Sequence, residues 1–97
     1  MIYNPEKDHW LEDFKGEYVK VHTNAPVDPF YVGKLLIPIR GNTTISLRYS
    51  MNEKEVDENI IRKELYSKEE YLEKEGRFNR IPLENIVSVS FLKKGHN

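Results

Sequence analysis

Residues 30–49, FYVGKLLIPIRGNTTISLRY, decide the fold. Two apolar-rich runs with the period-2 alternation of β-strands flank a Gly41-Asn42 turn. In the first run Phe30, Val32 and Lys34 fall on one side, and Tyr31, Gly33 and Leu35 on the other. Gly33 removes a side chain in mid-strand, which marks a sharp bend or the close approach of another backbone. Such a bend lets one strand serve both halves of a small barrel. Pro38 has no N–H to give to a ladder and belongs at a strand end, bulge or edge. In the second run, 43–49, Ile45 and Leu47 point inward while Ser46 and Arg48 point outward.

On the N-terminal side, 17–23 (EYVKVHT) alternates Tyr18 against Val19 and Val21 and predicts the first strand. Asn24 to Pro29 then turns the chain. Before that strand, residues 1–15 predict a short helix: Asn4 can cap it, Pro5 suits its first turn, and Glu6 and Asp8 sit at the positive end of its dipole. Trp10, Leu11 and Phe14 share one face of that helix and are expected to pack on the sheet. Gly16 fits a left-handed helix terminus.

On the C-terminal side, 51–80 reads as a charged, glutamate-rich insertion between strands 1–3 (16–50) and the closing strands (81–93). Its sparse apolar positions, Val56, Ile60, Ile61, Leu65 and Leu72, predict helical segments, with a strand around 60–66 as the alternative. Ser67 and Glu70 form a capping box for a helix over 68–75, which Gly76 stops. Residues 81–92, IPLENIVSVSFL, predict two short strands about a tight turn at Glu84-Asn85.

The chain has 97 residues, expected to form a single domain, 1–97, around one modest core. With 38% hydrophobic and 32% charged residues and a mean hydropathy of −0.69, it is polar but richer in apolar side chains than a disordered chain. The absence of cysteine removes disulfides, Cys-based zinc sites and a thiol nucleophile, and fits a reducing compartment. No apolar run approaches a membrane span, and 1–14 lacks the order of a signal peptide, so a cytoplasmic location without membrane contact is expected. A net charge of −1 argues against a bulk polyanion binder. Lys20, Lys34, Arg40 and Arg48 nevertheless put positive charge on the strand half of the chain.

The order of elements resembles the Sm and Sm-like (LSm) proteins, small five-stranded barrels related in shape to SH3 barrels. Residues 14–21, FKGEYVKV, look like that family's join of helix and first strand. Residues 30–35, FYVGKL, look like its bent second strand, 45–47 like its third, and 81–91 like its closing pair. The resemblance implies a mainly β fold, a five-stranded Sm-like or SH3-like barrel with a short N-terminal helix and a charged, partly helical insertion. It also implies self-assembly through strand edges and contact with single-stranded RNA at the loop between strands two and three. There Asn42 matches the family's asparagine, but no aspartate accompanies it in 38–43. The second loop, 82–85, carries Glu84-Asn85 where the family has a basic residue and glycine.

The RNA-binding expectation falls on Arg40, Asn42 and Lys34 for phosphate and base edges, with Tyr31 or Tyr49 to stack a base. The alternative is a protein-interaction module without nucleic-acid binding, using Ile60, Ile61, Leu65 and Tyr66 as a partner-binding stripe. No catalysis, cofactor or metal is expected: His9, His22 and His96 lack ligand spacing, and Ser46, Ser88 and Ser90 lack a motif that would activate a nucleophile.

Overall fold

The structure, a computed structural model, describes residues 3–4, 6–25, 29–36, 40–58 and 69–92. Five strands, β1 (Tyr18–Thr23), β2 (Phe30–Leu36), β3 (Thr44–Asn52), β4 (Arg77–Pro82) and β5 (Ile86–Phe91), form one antiparallel sheet. Their order is β4-β3-β2-β1-β5. The fold is mainly β, as the alternation predicts. The sheet is not closed, however: among the described residues its outer strands, β4 and β5, do not pair with each other. Strand pairing also reaches into both ends of the segment 51–80, because β3 continues to Asn52 and β4 begins at Arg77.

One line of distortion crosses the sheet. The β2–β3 register shifts between Val32 and Lys34, and the β3–β4 register shifts between Leu47 and Ser50. Tyr49 takes φ +54 there, a left-handed conformation that non-glycine residues rarely hold. The neighbouring backbones come so close that side chains are excluded. A Cβ on Gly33 would lie 2.9 Å from the Ser50 Cβ, and one on Gly76 would lie 2.7 Å from the Ser50 nitrogen and collide with the Tyr49 carbonyl carbon. Ser50 itself is buried, and its hydroxyl accepts a hydrogen bond from the Asn79 amide at 3.0 Å.

The alternation of the strands feeds two buried clusters. Val19 and Val21 of β1, Leu35 of β2, and Ile45 and Leu47 of β3 join Leu11 in the first. Phe30 and Val32 of β2, with Met51 beyond the distortion in β3, enter the second. Since Leu35 and Val32 differ in parity along one strand, the clusters lie on opposite faces of the sheet. Val56 of helix α1 (Glu53–Glu58) and Leu72 of helix α2 (Glu69–Glu75) complete the second cluster. Among the described residues the apolar packing is therefore divided between two clusters, where one core is expected for this length, because Val56 and Leu72 at the two ends of the charged insertion pack on the sheet's other face. Asn52 and Glu55 cap α1 reciprocally, each side chain accepting from the other's N–H at 2.8 and 3.0 Å. The Gly76 N–H donates to the Leu72 carbonyl at 2.7 Å and ends α2. Ser67, the cap expected for α2, lies outside the described residues.

The N-terminal helix is shorter and tighter than expected: a 3-10 helix over His9–Phe14, with Gly16 following at φ +72. Residues ahead of it turn instead. The Asn4 N–H donates to the Asp8 carboxylate at 2.9 Å, and the Asn4 side chain accepts from the Glu6 N–H at 3.0 Å, a local closure that competes with helix. Leu11 is buried, whereas Trp10 is 40% exposed rather than packed on the sheet. A second 3-10 turn, Leu83–Asn85, makes the tight connection between β4 and β5.

The convergence at Ser50 has a measurable cost attached to it. Gly76→Ala is expected to lose about 3 kcal/mol, the upper end for overpacking. Gly41→Ala, at φ +89 in open space, is expected to lose only about 1 kcal/mol. Urea denaturation of the two variants tests this, and equal losses would contradict the close approach.

Candidate functional site

The turn that carries Arg40 and Asn42 is clasped by the N-terminal segment. The Tyr3 N–H donates to the Asn42 carbonyl at 2.6 Å, and the Gly41 N–H donates to the Tyr3 carbonyl at 3.0 Å. The Arg40 guanidinium reaches both oxygens of Glu6, at 3.0 and 2.8 Å. This pairing holds the Glu6 carboxyl below its usual range and raises Arg40 further. A phosphate at Arg40 would have to displace Glu6.

Tyr3 is the buried member of the clasp. Its hydroxyl donates to the Glu12 carboxylate. That hydrogen bond, then burial, then the charges of Glu12 and Asp8 push its pKa up to about 12, against the opposing charge of Arg40. Tyr18 follows the same logic on the other face: burial first, then its hydrogen bond to Glu73 at 2.8 Å, raises its pKa.

The residues expected to touch RNA are not gathered in one place. Arg40 and Asn42 share the turn and are exposed. Tyr31 lies near the start of β2, opposite Val21 and Asn52 in register, and packs half-buried against the first cluster. From Tyr31 to the end of β2 at Leu36 the strand rises about 16 Å, at about 3.3 Å per residue. Lys34 differs from Tyr31 in parity and so faces the other way, with its ammonium 5.8 Å from the centre of the Tyr18 ring. The partner-binding stripe expected at Ile60, Ile61, Leu65 and Tyr66 lies outside the described residues.

Two features were not anticipated. On the face opposite the first cluster, cations lie over aromatic rings: Lys20 on Phe30 at 4.3 Å, Arg48 on Tyr49 at 5.7 Å and Arg80 on Phe78 at 5.6 Å. At the sheet margins, large apolar side chains face solvent. Phe78 on β4 is 52% exposed, and Val87 and Phe91 on β5 are 66% and 53% exposed. Phe91 continues into Phe14 at 4.6 Å between ring centres, and Phe14 into Trp10 at 6.5 Å. The signal was present in the sequence, since IVSVSF of β5 has no charged residue while RFNRIP of β4 has two arginines and a proline.

Among the described residues, no group of three or more His, Cys, Asp or Glu side chains could hold a metal ion. No helix there is long and apolar enough to cross a membrane. Compared with protein-family models, with curated proteins and with solved structures, the chain has no match in any of the three.

The raised tyrosine pKa values fix a pH window. A tyrosine that holds its proton more tightly when folded contributes stability that is complete below its unfolded pKa of about 10. That stability is lost as pH rises toward 12. Tyr3→Phe keeps the ring and removes the Tyr3 share of this dependence, leaving that of Tyr18, so its urea midpoint should fall less between pH 10 and 12 than that of the parent chain. Equal slopes would contradict the Tyr3–Glu12 assignment.

Proposed function

We propose that this chain is a non-enzymatic, cytoplasmic module with an Sm-like open barrel that assembles with copies of itself through the outer strands of its sheet. The observation that carries this reading is the pair of open margins. Among the described residues β4 pairs only with β3 and β5 only with β1, and each outer strand exposes large apolar side chains. An unpaired strand presents a row of backbone donors and acceptors that another strand can satisfy. Support for the Sm-like reading comes from the arrangement of elements: a short N-terminal helical turn, three successive antiparallel strands with a distorted second strand, and two short closing strands about a tight turn. A protein-interaction role with a different partner would use the same margins.

Single-stranded RNA is the second reading, favoured by the exposed Arg40 and Asn42 on one turn. It requires Arg40 to exchange Glu6 for a phosphate.

Light scattering on a sizing column tests the first reading. A mass that is a multiple of the 11.5 kDa chain is expected, and a monomer at every concentration would contradict it. Fluorescence anisotropy with U- or A-rich RNA at about 50 mM salt, where phosphate contacts are strongest, tests the second. Glu6→Gln should bind more tightly than the parent chain, and absence of binding by both would remove that reading.

A further inference from the structure

The two margins differ in what they can accept. β4 places Arg77, Arg80 and Pro82 along its edge, and edge charges and proline discourage strand pairing. Two β4 strands side by side would bring arginines together. β5, Ile86–Phe91, carries no charge to repel a second copy of itself and no carboxylate to attract the arginines of β4.

The backbone of β5 shows which groups await a partner. The Leu92 N–H donates to the Tyr18 carbonyl at 2.9 Å. The β1–β5 register then makes Lys20–Ser90 and His22–Ser88 the hydrogen-bonded pairs of that ladder. Val89 and Phe91, at the alternate positions, turn their N–H and C=O groups away from β1 toward the open side. Nothing among the described residues pairs with them.

Resting on the self-assembly reading, we propose that β5 pairs antiparallel with β5 of a second copy about a two-fold axis at Val89. A two-fold axis normal to the sheet keeps each face on its own side, so opposed residues must have the same parity and the axis must pass midway between the two copies of one residue. With the axis between the two Val89 residues, the outward N–H and C=O groups of Val89 meet those of the same residue in the partner copy. Val87 then lies opposite Phe91, and the two most exposed apolar side chains of β5 cover each other. Ser88 lies opposite Ser90 on the other face. The product is a closed dimer in which the first apolar cluster continues, through Val89 and Phe91, from one copy to the next. It is not a head-to-tail ring.

The cysteine-free chain makes this directly testable. Ser88→Cys and Ser90→Cys change exposed positions. In the proposed pairing they face each other at about 4.5 Å between Cα atoms, within disulfide reach. Under mild oxidation, a mixture of the two variants should give a covalent dimer, and neither variant should do so alone. Val87→Lys, a change at an exposed position, should shift the mass to that of one chain that still unfolds cooperatively, with a melting temperature that no longer depends on concentration, and Arg80→Glu should leave the mass as it was. An assembled parent chain with no cross-link in the mixture, or Ser88→Cys cross-linking to itself, would overturn this interface while leaving self-assembly intact. A monomeric parent chain would overturn both.

Discussion

The rest of the structure depends on the crowding of three backbones at Ser50. β2 contributes Gly33, β3 contributes Tyr49 and Ser50, and the entry to β4 contributes Gly76. Glycine at two of these positions lets the main chains approach to distances that a Cβ would forbid, and the small Ser50 side chain, bonded to Asn79, closes the remaining space. The register shifts in both neighbouring ladders, together with the left-handed Tyr49, follow the same line. β3 changes its allegiance there. Ile45 and Leu47 serve one apolar cluster, and Met51, only a few residues on, serves the other.

That change of face explains how a polar chain of modest length supports two clusters. The sheet acts as the shared wall between them. The N-terminal 3-10 helix supplies Leu11 to one side, and α1 and α2 supply Val56 and Leu72 to the other. Tyr18 ties α2 to the sheet through Glu73, as Tyr3 ties the N-terminal segment through Glu12 and the turn at Gly41-Asn42. Both faces thereby carry packed apolar side chains, and among the described residues the sheet margins are where backbone groups stay open to another molecule. Apolar burial is non-directional, whereas the unpaired groups along β5 impose direction and register, which is why the strand edge carries the functional reading.

Much of this architecture was legible in the sequence, and the misses have physical causes. Alternation in 17–23, 30–35 and 43–49 located the central strands, and Gly33 announced a bend or a close approach. The second cluster was not foreseen, although β2 is apolar at both parities, Phe30 and Val32 against Tyr31 and Leu35, the pattern of a strand buried on both faces. The Asn52–Glu55 capping box was also readable but was hidden by the assumption that β3 stopped at Tyr49. Other features could not be read locally. The Arg40–Glu6 pair joins residues distant in sequence, and nothing in their spacing shows that the guanidinium at the expected RNA loop already has a carboxylate. Trp10 matched a helical face in spacing, but spacing does not say where a short helix stops covering the sheet.

The open side of β5 is where copies of this chain are proposed to meet. Amide hydrogen exchange, followed residue by residue across a dilution series, tests this most directly. At low concentration the Val89 and Phe91 amides should exchange rapidly while Ser88 and Ser90 are protected by β1. At high concentration Val89 and Phe91 should become protected as well. Val89 and Phe91 amides that exchange equally fast at every concentration, in a chain that assembles, would contradict it.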